Sequence, residues 1–162
     1  METPFAIYRS LPKEERYSTV LPLIQSLIEG ETDTICALAN VAAALKEAFD
    51  FFWVGFYLVH PDGTLHLGPF QGPVACTRIA YGKGVCGTAW AERRTVLVED
   101  VEQFPGHIAC SSLSRSEIVV PILQADSVVG VLDIDSEHLA HFSPTDQHHL
   151  ERLCAFLATL VF

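Results

Sequence analysis

Three of the five cysteines, Cys76 in VACTRI, Cys86 in GVCGTAW and Cys110 in GHIACSS, fall in or beside segments that read as loops. No two form a C-x-x-C pair, so neither a zinc ribbon nor a thioredoxin-type motif is present. Cys110 carries the strongest chemical signal, because its segment is rich in small polar residues and is flanked by His107 and Arg115. Positive or hydrogen-bonding neighbours lower a thiol's pKa and raise its thiolate fraction. His107 itself is open to two readings, a base for that thiol or a loop histidine bonded to backbone. Cys36 and Cys154 fall within helical patterns, Cys154 on an apolar face with Leu150 and Leu157, and both read as small buried hydrophobes.

Carboxylates form a second constellation. In Val131-Leu132-Asp133-Ile134-Asp135-Ser136, strand alternation places Asp133 and Asp135 on one face and Leu132 and Ile134 on the other. Two like charges on one face repel, which leaves three uses open: a solvated sheet edge, a grip on a substrate ammonium, or an acid held protonated for proton donation. Glu117 opens a neighbouring strand pattern and is placed to join them. A divalent-metal site is the rival use of three acids, but no EF-hand or comparable oxygen-ligand spacing supports it. Trp53 and Tyr57 project with Gly55 to one side of another strand, while Phe52, Val54 and Phe56 take the other. Such an aromatic pair is either core or the wall of a pocket that holds a methylthio group by sulfur–aromatic contact.

The elements that must position these groups follow from periodicity. Val20, Leu21, Ile24, Leu27 and Ile28 recur at helical spacing within Tyr17–Glu29, and Gly30 is a natural stop. Ile35, Leu38, Ala42, Leu45 and Phe49 mark a second helix. Phe51–Val59 and Thr64–Phe70 read as a β-hairpin about the Pro61-Asp62-Gly63 turn. Ala75–Ile79, Thr95–Val98, Glu117–Leu123 and Val128–Asp135 complete about six strands, with a short helix over Gly84–Arg93. In the last helix Ser143 caps, Pro144 opens the first turn and Asp146 completes a capping box ahead of Leu150, Leu153, Leu157 and Leu160. The expectation is an α+β domain, a central antiparallel sheet with helices packed on one face. Phe104–Ser116 fits no regular element, and such segments between strands commonly carry function.

Composition narrows the classes. A chain of 162 residues makes one domain, with residues 1–16 as an N-terminal extension. A net charge of −10 would repel a phosphate backbone, which argues against nucleic acid as a partner. No apolar run is long enough for a membrane span, and the first residues lack the order of a secretory signal. An odd, unevenly spaced set of cysteines disfavours a secreted disulfide framework, so a cytoplasmic protein is expected.

Long ordered blocks then sharpen the reading: ANVAAALKEAF with WVGFYLV, LHLGPFQGPVACTRIAYGKGVCGTAW, EDVEQFPGHIACSSLSRSEIVVPI, VVGVLDIDSE and FSPTDQHHLERL. The chain that carries them resembles the free methionine-R-sulfoxide reductase family, whose members are built on a GAF-type domain. By position, the resemblance implies that Cys110 is the catalytic cysteine and Cys76 the partner that closes a disulfide with it. Cys86 matches a third cysteine of less settled part. Glu117, Asp133 and Asp135 match residues that bind the substrate amine and assist reduction, and Trp53 and Tyr57 match the aromatic wall near the substrate methyl. The first fifteen or so residues carry little of the likeness.

The implied chemistry needs these residue types. A sulfoxide sulfur is a poor electrophile until its oxygen is hydrogen-bonded or protonated, so a thiolate must be joined to an acid. Attack by Cys110 would release methionine and leave a sulfenic acid, which Cys76 would convert to a disulfide before over-oxidation. No bound cofactor and no metal are implied, only a thioredoxin-like or other dithiol reductant to restore the thiols. A homodimer is compatible with the family. The competing readings are a non-catalytic GAF sensor of a small molecule and a thiol redox switch or peroxidase, since a fold alone decides no function.

Overall fold

The computed structural model describes residues 4–162. Four α-helices, α1 (Lys13–Ile28), α2 (Thr34–Phe49), α3 (Gly84–Glu92) and α4 (Pro144–Leu160), accompany six strands. These are β1 (Trp53–Val59), β2 (Thr64–Gln71), β3 (Arg78–Ala80), β4 (Val96–Val98), β5 (Ser116–Gln124) and β6 (Ser127–Ser136). They form one sheet in the order β3-β2-β1-β6-β5-β4, and every neighbouring pair is antiparallel.

Alternation sorts the two sheet faces. Val54, Phe56, Ile118, Val120, Ile122, Leu132 and Ile134 point to one side, where α1, α2 and α4 cover them with Tyr17, Ile24, Leu38, Leu45, Leu150 and Leu157. Each such fully buried aliphatic or aromatic side chain contributes roughly 1.5–3 kcal/mol. On the other side Tyr57, Leu65, Val119 and Val131 meet Val85, Cys86 and Ala89 of α3. The expected one-sided packing thus holds for the N- and C-terminal helices, whereas α3 lies on the opposite face.

Helix α1 starts at Lys13, ahead of the expected Tyr17, because apolar periodicity marks where a helix becomes buried rather than where it begins. Glu14 and Glu15 occupy its first turn, where acids favour the positive end of the helix dipole. The capping box of α4 is present as read, and its acid does more than cap. Asp146 Oδ2 accepts from the Ser143 backbone amide at 2.8 Å and from Lys13 Nζ at 2.6 Å, while Oδ1 accepts from the Tyr17 hydroxyl at 2.8 Å. One buried carboxylate therefore ties α1 to the start of α4.

Three expected core positions lie outside the core. Ile35 and Leu27 are about half exposed, at 53% and 49%, and Cys36 is exposed instead of buried. Cys36 sits in the first turn of α2, where its amide donates to Asp33 Oδ1 at 2.9 Å, and it lies on the exposed side of the helix with Ala39 and Asn40, while Ala37 and Leu38 of the same turn are buried. Cys154 is buried as expected. Among the described residues no helix is long and apolar enough to cross a membrane.

Candidate functional site

The sheet face that carries α3 also carries the site. β6 turns Asp133 and Asp135 toward it, and β5 turns Glu117 the same way because Glu117 pairs with Asp135 in register. Ser114, just before β5, donates to Asp135 Oδ1 at 2.6 Å. β1 supplies the aromatic wall. Gly55 faces Asp133 across the ladder, and a Cβ there would lie 2.6 Å from the Trp53 indole and 2.4 Å from the Phe70 Cβ. The missing side chain is what allows the indole to lie over β1, stacked at 5.3 Å on Phe70, with Nε1 donating to the Pro73 carbonyl at 3.0 Å.

Two irregular segments form the rim. The expected strand over Ala75–Ile79 is confined to Arg78–Ala80, so Cys76 lies on a loop, and the Tyr57 hydroxyl holds that loop by donating to the Cys76 carbonyl at 2.9 Å. The segment read as irregular carries Cys110 and runs up to Ser116, where β5 begins. Cys76 and Cys110 are joined by a disulfide, with Cα atoms 5.6 Å apart across a sequence separation of 34. That separation is ordinary for a bridge and brings two distant loops over one pocket.

The pocket spans about 590 Å³ including its open mouth. Its floor holds Glu117, Asp133, Asp135 and Cys86, and its walls include Trp53, Tyr57, Val85 and Ile108. The floor is electrostatically unusual. Burial pushes the carboxyls of Glu117, Asp133 and Asp135 well above the ordinary carboxylate range, and their mutual repulsion pushes the same way. Ser114 opposes this at Asp135 by hydrogen-bonding the charged form. Asp133 Oδ1 is buried without a hydrogen-bond partner, which leaves one polar atom of the floor free for a ligand. Cys86 is buried beside these acids, and burial followed by their charge pushes its thiol up.

Cys86, Glu117 and Asp133 each offer an atom within 4.8 Å of the others, a spacing a metal ion could bridge. Burial, however, drives all three toward their protonated forms, and a cation would have to displace those protons. The arrangement suits a reservoir of protons better than a cation site.

The comparisons with known proteins agree with this geometry. A GAF domain model matches residues 33–161. The free methionine-R-sulfoxide reductase of Escherichia coli is 47% identical over 90% of this chain and 88% of its own. That of Saccharomyces cerevisiae is 41% identical over 91% and 87%. An X-ray structure of free methionine-R-sulfoxide reductase from Neisseria meningitidis, in complex with its substrate, superposes with a TM-score of 0.93 at 54% identity, covering 98% of this chain and 95% of that one. The chain belongs to the free methionine-R-sulfoxide reductases, a GAF-domain family.

Within this family member the structure gathers the residues that the family likeness picked out: Cys76 and Cys110 in their disulfide, and Cys86, Trp53, Tyr57, Glu117, Asp133 and Asp135 on the pocket. The two residues that flank Cys110, Arg115 and His107, behave differently. Arg115 is exposed and uses its backbone amide to donate to the Ser136 carbonyl. His107 lines the pocket with Nε2 3.5 Å from Glu117 Oε2, so it neighbours the acid as well as belonging to the thiol's loop. Burial lowers its pKa and favours the neutral ring. Phe52 also lines the pocket, on the side of Trp53, although alternation assigned it to the opposite face. It precedes β1, and the chain bends there before the pleat begins.

Proposed function

We propose that this chain reduces the R-epimer of free methionine sulfoxide to methionine with its own thiols. The observation that carries the reading is the Cys76–Cys110 disulfide closing the rim of a pocket floored by buried carboxyls. A sensor has no use for that pair, and a general peroxidase has no use for the acid floor beside an aromatic wall.

In the reduced enzyme the Cys110 thiolate attacks the sulfoxide sulfur, and a proton passes from the carboxyl cluster to the sulfoxide oxygen. The proposed donor is the Glu117–Asp133 pair: burial raises both carboxyls, and the hydrogen bond between them raises Asp133 while lowering Glu117, so one proton is shared across the pair. The hydroxyl then moves to the Cys110 sulfur as the S–O bond and the newly formed sulfur–sulfur bond break, so methionine leaves with two more electrons and Cys110 becomes a sulfenic acid. The Cys76 thiol then displaces that hydroxyl as water and forms the disulfide. A dithiol of the thioredoxin type returns two electrons by exchange and regenerates both thiols. The cycle needs no bound cofactor.

Selectivity follows from the walls. A free α-ammonium is held by Asp135, whose Oδ1 also accepts from the Ser114 hydroxyl, and by the open Asp133 oxygen. The methyl group lies against Trp53. With amine, methyl and oxygen each assigned a wall, only one configuration at sulfur presents its oxygen to the acid. A dithiol-driven cycle belongs in a reducing compartment, so the cytoplasm is the proposed location.

The test is an assay of purified protein with each epimer of free methionine sulfoxide and a dithiol reductant. Consumption of the R form alone is expected. Equal consumption of peptide-bound sulfoxide would contradict the amine-gripping pocket.

A further inference from the structure

At the far end of the β1–β2 hairpin, about six residues or roughly 20 Å along β1 from Trp53, three side chains converge that sulfoxide reduction does not use. His60 follows β1, Asp62 sits in the Pro61-Asp62-Gly63 turn, and His66 lies on β2. Leu58 pairs with His66 and Val59 with Leu65, so His60 and His66 are diagonal neighbours on one hairpin face. Their rings stack with centroids 3.8 Å apart. Asp62 Oδ2 lies 2.8 Å from His66 Nε2 and 3.6 Å from His60 Nδ1. One ligand atom from each of the three lies within 4.8 Å of the others.

The carboxylate is fixed in place. Its Oδ1 accepts from the Thr64 amide at 2.9 Å and the Thr64 hydroxyl at 2.7 Å, which leaves Oδ2 turned to the imidazoles. Gly63, at φ 80°, takes the left-handed conformation the turn requires and donates its amide to the His60 carbonyl at 3.0 Å. Hydrogen bonds that orient a ligating carboxylate are the usual support of a metal site.

We infer that His60, Asp62 and His66 form a surface site for a divalent transition-metal ion of the zinc class, with solvent completing a tetrahedron. Two imidazole nitrogens and one carboxylate oxygen are a zinc donor set, and nitrogen donors select against magnesium and calcium. Bonds of about 2.0–2.1 Å, with each nitrogen lone pair aimed at one ion, require the half-exposed His60 ring to swing out of its stack on His66. The ion takes the place of the His66–Asp62 hydrogen bond and pins the hairpin.

The experiment titrates Zn²⁺ calorimetrically into the full chain in its disulfide form, which keeps Cys76 and Cys110 from binding, with imidazole nitrogens followed by NMR. One equivalent should bind and shift the ring signals of His60 and His66. His60→Ala, His66→Ala and Asp62→Asn should each weaken that binding at least tenfold while methionine sulfoxide turnover is unchanged. His60→Ala, at a half-exposed position, keeps the test decisive if His66→Ala folds poorly. Absence of zinc binding, or affinity equal in wild type and His60→Ala, would overturn the site and leave a hydrogen-bonded hairpin staple only; binding at Cys86 would give that second pattern.

Discussion

Glu117 on β5 stands directly opposite Asp135 on β6, and both carboxyls turn to the pocket face of the sheet. With Asp133 two residues along the same strand, three acids share a floor from which water is largely excluded. If this floor delivers the proton, Glu117→Gln should lower kcat/KM on the order of a hundredfold, the usual scale of general acid catalysis. Asp135→Asn should act mainly on KM through the substrate ammonium. Steady-state kinetics on free sulfoxide check both.

The same floor should cost stability. Burial raises the folded-state pKa of these carboxyls, so their contribution to folding is fully present below about pH 4, near their unfolded values, and is lost as pH rises through the raised folded values. Glu117→Gln should therefore be more stable than wild type at pH 7, by about 0.5–2 kcal/mol, with the gain shrinking toward pH 4. Denaturant titrations at several pH values measure it. In activity, kcat/KM should fall on the alkaline side as the proton donor ionises, and Glu117→Gln should lose that limb.

Gly55→Ala tests how the wall is built. The added Cβ would stand 2.4 Å from the Phe70 Cβ and 2.6 Å from the Trp53 indole, and backbone-anchored Phe70 has little room to yield. Overpacking of this kind costs about 1–3 kcal/mol. The displaced indole should also raise KM for free methionine sulfoxide, and Trp53→Ala should raise KM without the stability pattern of a clash.

Asp146→Ala should separate the scaffold from the site. It removes the partner of Lys13, Tyr17 and the Ser143 amide together, and breaking a buried charged network costs about 3–5 kcal/mol. Below the melting transition kcat should stay near wild type, because no atom of this network reaches the pocket.

Local chemistry made much of this molecule legible from sequence. Period-two alternation put Asp133 and Asp135 on one face against Leu132 and Ile134, and the Ser143–Asp146 spacing announced the capping box. Alternation failed at Phe52 because the pleat had not begun, and helical periodicity failed at Ile35 and Cys36 because the buried stripe of α2 runs through Ala37, Leu38, Val41 and Ala42 and leaves those two on the side that also carries exposed Ala39 and Asn40. The approach of Cys76 to Cys110 had no local signal at all. It depends on two irregular segments that long-range pairing of β1, β5 and β6 brings together, and only the family likeness anticipated it. His107 beside Glu117 had no signal either, since their distance is set by the fold of the Cys110 loop.

The most direct measurement is a single turnover without external reductant. Fully reduced wild-type protein is mixed with a stoichiometric amount of free methionine R-sulfoxide, methionine is quantified, and the quenched protein is mapped by peptide mass spectrometry. About one methionine per chain should appear together with the Cys76–Cys110 disulfide, with Cys36 and Cys154 still free. Cys110→Ser should yield none, because a serine hydroxyl is scarcely ionised at neutral pH. Cys76→Ser should yield one and stop at a trappable sulfenic acid. Absence of methionine from wild type, or a substrate-induced disulfide that joins Cys86 rather than Cys76 to Cys110, would contradict the account.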